Sequence, residues 1–204
     1  MAYYDSLNNP ITGVVLAGGR SLRMGEDKAF LQIDGIPIIK RICSLFLTLF
    51  KEVIIVTNRK EKFLQIGVSV YDDLVPGLGA LGGLYTALTL ASFPFSFVVA
   101  CDMPFLNKDV IDYLIQRKNS YDLIIPRTPD GLQPLHAIYS KKCVEPIQSL
   151  LLQRKMRIID LFPLVRLEIV DSKEFNSLDP DYESFININT PEDLTLYTTK
   201  RPYR

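Results

Sequence analysis

Five short, nearly continuous apolar runs, each separated from the next by a stretch of helical period, set the strongest limit on what this chain can fold into. The runs are Gly13 to Ala17, Val53 to Thr57, Val68 to Tyr71, Phe95 to Ala100 and Asp122 to Pro126. Unbroken apolar character over so few residues marks strands covered on both faces, the habit of parallel sheets. Between the runs, Pro37 opens a pattern in which Ile38, Ile42, Leu45 and Leu49 recur at helical spacing. A weak helix is expected over Glu61 to Gln65, another over Leu81 to Leu90, and Asn107 caps one running to about Lys118.

Alternating strand and helix implies right-handed βαβ units, and so an α/β fold: a doubly wound, mostly parallel sheet with helices on both faces. The length of 204 residues suits a single domain. Residues 11–200 are expected to form it, behind a flexible N-terminal segment of residues 1–10. The second half is less regular. Gly131 to Tyr139 reads as an extended piece after a Pro129-Asp130-Gly131 turn, and Lys141 to Gln153 and Ile158 to Leu161 read as helical. Arg166 to Val170 reads as a strand, and so does Phe185 to Ile188, by strict alternation. Thr190-Pro191-Glu192-Asp193 carries a helix start, with a capping hydroxyl, a proline and two acids.

Composition excludes several classes of function. Lys+Arg and Asp+Glu are both 23, so the formal net charge is zero, without the basic excess of a protein that lives on nucleic-acid backbone. Three cysteines (Cys43, Cys101, Cys143), widely spaced and without a CxxC pair, argue against a disulfide scaffold and against a structural zinc site. Met1 to Pro10 lacks a signal-peptide pattern, and the longest apolar run, near Ile42 to Phe50, falls short of the roughly 20 residues that span a bilayer. A cytoplasmic chain with neither membrane nor nucleic-acid partners is expected.

The chemistry concentrates after the first strand, in Leu16-Ala17-Gly18-Gly19-Arg20-Ser21-Leu22-Arg23-Met24-Gly25-Glu26-Asp27-Lys28. Neither GxxxxGK[ST] nor GxGxxG fits this spacing. What stands there is a glycine pair that lets backbone N–H groups approach an anion, followed by two cations, Arg23 and Lys28. A guanidinium fork and a point charge suit phosphate oxygens, and a loop of this length in an α/β unit is generally functional.

Asp102, in Cys101-Asp102-Met103-Pro104, ends the fourth run. If the strand order is 3-2-1-4, strands one and four lie side by side and Asp102 faces the glycine loop at the switch point where ligands bind. A carboxylate beside a polyphosphate suits Mg²⁺, which takes one or two protein oxygens and completes its shell with water and phosphate. A triphosphate brings about −4, which Mg²⁺, Arg23 and Lys28 match with about +4. His136, the only histidine, has no recognisable nucleophile beside it and reads as a structural or binding residue. A site of metal and cations without a side-chain nucleophile suits transfer of a phosphorus centre between two bound substrates.

These motifs together resemble the Rossmann-like nucleotidyltransferases of glycosyltransferase-A type, and more narrowly the molybdenum cofactor guanylyltransferase family. The resemblance rests on Leu16 to Gly19, Arg23 to Gly25, Asp27-Lys28, Asp73, Gly77 to Gly83, Cys101 to Pro104 and Asn187 to Asp193, and covers roughly residues 11–198. It implies transfer of GMP from GTP to the terminal phosphate of molybdopterin or its molybdenum-loaded form, with pyrophosphate released. It further implies that Leu16, Ala17, Gly18 and Gly19 hold the nucleotide, Arg23 and Lys28 the triphosphate, and Asp73 the guanosine. Asp102 would ligate Mg²⁺ and touch GTP, and Asn187 and Asn189 would lie near the reacting phosphates or the acceptor. Asn58 is a weaker candidate for a nucleotide contact. One departure stands in the glycine-rich stretch: Ala80 takes the place of the family's usual proline. Expected partners are GTP, molybdopterin or molybdenum cofactor, and molybdoenzymes or their chaperones as recipients. The competing readings are a cytidylyltransferase acting on the pterin or an isoprenoid phosphate, a sugar-phosphate nucleotidyltransferase, and a non-catalytic module that binds nucleotide and delivers cofactor.

Overall fold

The computed structural model describes residues 10–18 and 28–199. The strands of the main sheet are β1 (Ile11–Ala17), β2 (Glu52–Thr57), β3 (Ser69–Asp72), β4 (Phe95–Ala100), β5 (Leu123–Thr128), β6 (Gly131–Leu132), β7 (His136–Ser140) and β8 (Leu167–Asp171). Helices α1 (Ile38–Leu49), α2 (Gly79–Leu90), α3 (Lys108–Ile115), α4 (Val144–Leu152) and α5 (Pro191–Thr199) lie between and after them. The sheet runs β8-β5-β7-β4-β1-β2-β3, with β6 folded back on β5. Its first half is therefore the expected 3-2-1-4 arrangement, with β1 parallel to both β2 and β4.

All seven residues of β1 are buried, because the strand has a neighbour on each side and helices above and below. One face packs against α1 and α3 through Ile38, Ile42, Phe46, Val110 and Leu114. The other packs against α2 and α4 through Leu81, Leu84, Leu88, Ile147 and Leu150. At about 1.5–3 kcal/mol for each large aliphatic or aromatic side chain fully buried, these two layers supply the main favourable term in folding. α1 comes within reach of β1 only because residue 13 is glycine. A Cβ there would meet Phe50 Cδ2 at 2.5 Å and Phe46 Cδ2 at 2.7 Å.

Several boundaries differ from the sequence expectation, each for a local reason. Pro37 precedes α1, with ψ of 140°, and pairs with Gln32 in a small ribbon (Gln32–Ile33 against Ile36–Pro37) instead of occupying the first helical turn. Residues around Glu61 to Gln65 form two separate 3₁₀ turns, closed by Gly67 at φ +88°. α3 begins where Asn107 Oδ1 accepts the Asp109 N–H at 2.8 Å, and ends at Ile115, three residues short of Lys118. The extended piece after the Pro129-Asp130-Gly131 turn becomes an antiparallel strand, β7, inserted between β4 and β5.

The late strand over Phe185 to Ile188 does not form. Glu183–Phe185 is a 3₁₀ turn, and the residues after it belong to no strand. Phe185 and Ile188 are nonetheless buried, three residues apart, so the apolar character of this segment reflects docking onto the core and not a strand face. A single ladder-like bond, from Ile188 N–H to the Asp102 carbonyl at 2.8 Å, ties this segment to the end of β4. The helix start after it is as expected. Asp193 N–H donates to Thr190 Oγ1 at 3.0 Å, and Thr190 N–H returns a bond to Asp193 Oδ2 at 2.9 Å.

No helix among the described residues is long and apolar enough to cross a membrane. Cys43, Cys101 and Cys143 form no disulfide among the described residues, and burial pushes the thiols of Cys43 and Cys143 up to about 12.

Candidate active site

Parallel strands end in backbone groups with no further partner strand, so the carboxyl lip of the sheet is where loops diverge and a crevice opens. Here the lip is held level by three bonds. Thr57 Oγ1 donates to the Ala17 carbonyl at 2.9 Å, Cys101 N–H to the Leu16 carbonyl at 3.2 Å, and Asp73 N–H to the Thr57 carbonyl at 3.1 Å. Above them lies a cleft of about 900 Å³, whose walls include Ala17, Gly18, Lys28, Asp73, Asp102 and Asn187.

Of the residues singled out in the sequence, Leu16, Ala17, Gly18, Lys28, Asn58, Asp73, Asp102 and Asn187 all line this cleft. Gly19 and Arg23 lie outside the described residues, as does Asp27.

Asp102 is brought to Gly18 by the β1–β4 pairing. Its side chain is 18% exposed, and Lys28 Nζ stands 3.7 Å from Oδ2. Oδ1 is buried without a hydrogen-bond partner among the described residues. Burial raises the Asp102 pKa above the usual carboxylate value, and the Lys28 charge opposes that rise without cancelling it. A buried carboxylate oxygen without a partner is costly unless a cation or donor completes it. A hard cation such as Mg²⁺, which takes one or two carboxylate oxygens and fills its shell with water and phosphate, suits such an oxygen, and no group of three or more His, Cys, Asp or Glu side chains that could hold a metal stands among the described residues.

Lys28 also donates to Asn189 Oδ1 at 2.6 Å, so Asn189 meets the phosphate-loop lysine directly. Asn187 lines the cleft and donates from Nδ2 to the Phe185 carbonyl at 3.2 Å. On the far wall, Asp73 Oδ1 accepts from Thr86 Oγ1 at 2.7 Å and from Val75 N–H at 3.1 Å. Thr86 is fully buried on α2, and its Oγ1 in turn accepts the Leu74 N–H at 2.9 Å. The loop from Asp73 then turns into α2 through Gly77 and Gly79, at φ +86° and +65°, where a side chain would be strained. The N-cap residue of α2, Leu78, makes no side-chain cap bond, so the first-turn N–H groups have no capping side chain and suit a bound acceptor atom. Ala80 sits in that first turn and keeps an N–H that the family's proline would lack.

Two participants escape sequence reasoning. Arg59 lines the cleft beyond β2, but in the sequence it is one surface cation among several. Thr86 anchors Asp73 from mid-helix, where a lone threonine carries no signal. His136, conversely, lies outside the cleft. It is fully buried, with its ring 5.2 Å from Phe97 and 4.4 Å from Phe185. Burial pushes its pKa down to about 3, against a weak opposing pull from the Ser184 backbone. That backbone lies outside hydrogen-bond geometry, and neither ring nitrogen has a partner among the described residues. The ring is a neutral core aromatic.

A 3-2-1-4 parallel half-sheet, a glycine at its switch point, and a lysine facing an aspartate across the crevice define a nucleotidyltransferase. The description "MobA-like NTP transferase domain" matches residues 13–164. A protein of Pelotomaculum thermopropionicum named "Probable molybdenum cofactor guanylyltransferase" is 42% identical over 183 residues, covering 90% of this chain and 89% of the relative. A "Molybdenum cofactor guanylyltransferase" of Desulfosudis oleivorans is 35% identical over 186 residues, covering 90% and 92%. The crystal structure of molybdopterin-guanine dinucleotide biosynthesis protein A from Archaeoglobus fulgidus superimposes with a TM-score of 0.80 at 25% identity, covering 93% of this chain and 97% of that one. The chain belongs to the MobA-like NTP transferase family, among the molybdenum cofactor guanylyltransferases.

Proposed function

We propose that the protein uses this cleft to transfer GMP from GTP to the terminal phosphate of molybdopterin or molybdenum cofactor, with Mg²⁺ held at Asp102. The observation that carries the site assignment is the buried Oδ1 of Asp102, without a partner among the described residues, beside the Lys28 ammonium. In the reaction, an oxygen of the acceptor's terminal phosphate bonds to the α-phosphorus of GTP. The bond from that phosphorus to the α,β-bridging oxygen breaks, and pyrophosphate leaves with the bonding electrons. Bound Mg²⁺ supplies charge neutralisation and Lewis-acid polarisation of the phosphate oxygens.

The chain's own groups do the rest by position and charge. The Ala17-Gly18 backbone offers close approach to phosphate. Lys28, drawn off Asp102 while Asn189 keeps hold of it, neutralises charge that builds on the leaving pyrophosphate, and the sequence adds Gly19 and Arg23 as phosphate-binding groups. Asp73, held by Thr86, orients the guanosine, and the N–H groups at the start of α2 meet acceptor atoms of the nucleotide. Asn58 and Arg59 flank the nucleotide on the β2 side. Asn187 closes the wall nearest Asp102, on the side from which the acceptor approaches. The reaction belongs in the cytoplasm, with molybdoenzymes or their chaperones receiving the product.

Purified protein is incubated with Mg²⁺, molybdopterin and each of the four nucleoside triphosphates, and dinucleotide product is followed by chromatography. GTP-dependent product that EDTA abolishes is expected. Preference for CTP would replace the guanylyl assignment with a cytidylyl one. Nucleotide binding without any product would make the chain a delivery module.

A further inference from the structure

We infer that Asp193, at the start of α5, is a positioning residue for Lys28. The inference rests on the guanylyl-transfer reading only for its kinetic consequence. A lysine carries a point charge on a flexible stem, so a fixed ammonium needs something to fix it. Lys28 Nζ is fixed by Asn189 Oδ1, at 2.6 Å, more closely than by Asp102, at 3.7 Å. What fixes Asn189 is in turn Asp193, whose Oδ2 accepts the Asn189 N–H at 2.8 Å.

An ordinary capping box does not require that last bond. The helix needs only the reciprocal pair between Thr190 and Asp193, which is present at 3.0 and 2.9 Å. Asp193 Oδ2 reaches one residue further back and takes a second N–H, that of the residue whose side chain grips Lys28. The preceding residue, Ile188, is buried and donates its N–H to the Asp102 carbonyl at 2.8 Å. Two adjacent residues thus hold the two charged partners of the site, one through Asp102's backbone and one through Lys28's ammonium. The start of α5 sets the distance between the phosphate lysine and the carboxylate that faces it.

The test separates this role from plain helix stability with two variants. Thr190→Ala removes the acceptor of the Asp193 N–H and leaves Asp193 free to hold Asn189. Asp193→Ala removes the hold on Asn189. Lys28 is only 19% exposed, so its rate of acetylation by acetic anhydride, followed by mass spectrometry without nucleotide, reports how firmly it is held. In Asp193→Ala, labelling of Lys28 is expected to accelerate and the KM for GTP to rise, each about fivefold, the scale of one lost hydrogen bond. Thr190→Ala is expected to lower the melting temperature comparably while leaving both readouts at wild type. Asp193→Glu, the other residue that serves a capping box, restores them. Unchanged labelling in Asp193→Ala, or equal acceleration in Thr190→Ala, overturns the inference. Accelerated labelling in a protein whose wild type fails to bind GTP would leave the positioning role standing and remove the guanylyl reading alone.

Discussion

Lys28 Nζ and Asp102 Oδ2, from two segments that the β1–β4 pairing brings together, face each other at 3.7 Å across the mouth of the cleft. The pair is too long for a close ion pair, and each partner keeps capacity for another: Asp102 Oδ1 has no partner among the described residues, and the lysine leans on an asparagine. Such a pair is poised to exchange its contacts for a metal and a triphosphate. Asp102→Asn and Lys28→Ala are each expected to lower turnover by at least about 10²-fold with the fold intact, the scale of a lost electrostatic stabiliser. Steady-state GMP transfer beside circular dichroism checks this, and retained turnover in both variants would remove the mechanism.

The raised pKa of Asp102 gives that residue opposite effects on stability and on function. A carboxyl whose folded pKa lies above its unfolded value stabilises the fold while protonated. That stabilisation is complete below the unfolded pKa and is lost as pH rises through the folded one. At neutral pH the ionised group is therefore a cost, and Asp102→Asn is expected to melt higher than wild type, with the gap closing at acid pH. Divalent-ion binding needs the ionised form. The acid limb of Mn²⁺ affinity should lie above the ordinary carboxylate range and move higher still in Lys28→Ala, which removes the opposing cation. Paramagnetic titration across pH reads this limb, and a limb unmoved by Lys28→Ala contradicts the assignment.

The parallel half of the fold was legible because β1, β2 and β4 are buried on both faces, which prints an unbroken apolar run in the sequence. Direction is not printed in the same way. His136 to Ser140 is buried throughout, like a parallel strand, and only the Pro129-Asp130-Gly131 turn before it signals reversal. Phe185 to Ile188 shows the converse: a segment outside any strand can carry strand-like apolar residues when two of them, here Phe185 and Ile188, reach the core. Among the residues lining the cleft, Gly18 and Asp102 were legible because each follows a strand, where loops carry chemistry, and Asp73 only through the family resemblance. Thr86 was not, since its role depends on α2 passing beneath Asp73. The Lys28–Asn189 bond spans 161 residues of sequence and needed the C-terminal segment to be placed first.

His136 offers a test of burial without chemistry. Its folded pKa of about 3 lies below the ordinary histidine value of 6.5. Between these values the unfolded chain binds a proton that the folded chain refuses. Stability is therefore expected to fall as pH drops below about 6.5, by up to about 1.4 kcal/mol per pH unit. His136→Leu should remove the histidine's share of this slope, melt at or above wild type at pH 7.5 because two buried nitrogens without partners among the described residues disappear, and keep wild-type turnover. Urea unfolding at pH 5 and pH 7.5 measures the slope. Loss of GMP transfer in a folded His136→Leu protein would return the histidine to the site.

Gly13 tests how the fold holds the site at a distance. The two rings that a Cβ would strike cannot simply swing away. Phe46 and Phe50 pack edge-on at 5.0 Å, and each also meets Phe97 at 5.9 Å. Room for a methyl group must come from moving α1 off β1, so Gly13→Ala is expected to cost about 1–3 kcal/mol, the usual penalty for overpacking a close contact. Phe50→Leu in the same chain should recover part of that loss by removing the nearer ring atom, which gives a non-additive double-mutant cycle. Residue 13 lies toward the start of β1 and the cleft at its end, so turnover per folded molecule should remain that of wild type. Denaturant titration gives the stabilities, and turnover normalised to folded protein gives the second quantity. Additive effects of the two substitutions would show that the tight approach of α1 to β1 is not what requires glycine there.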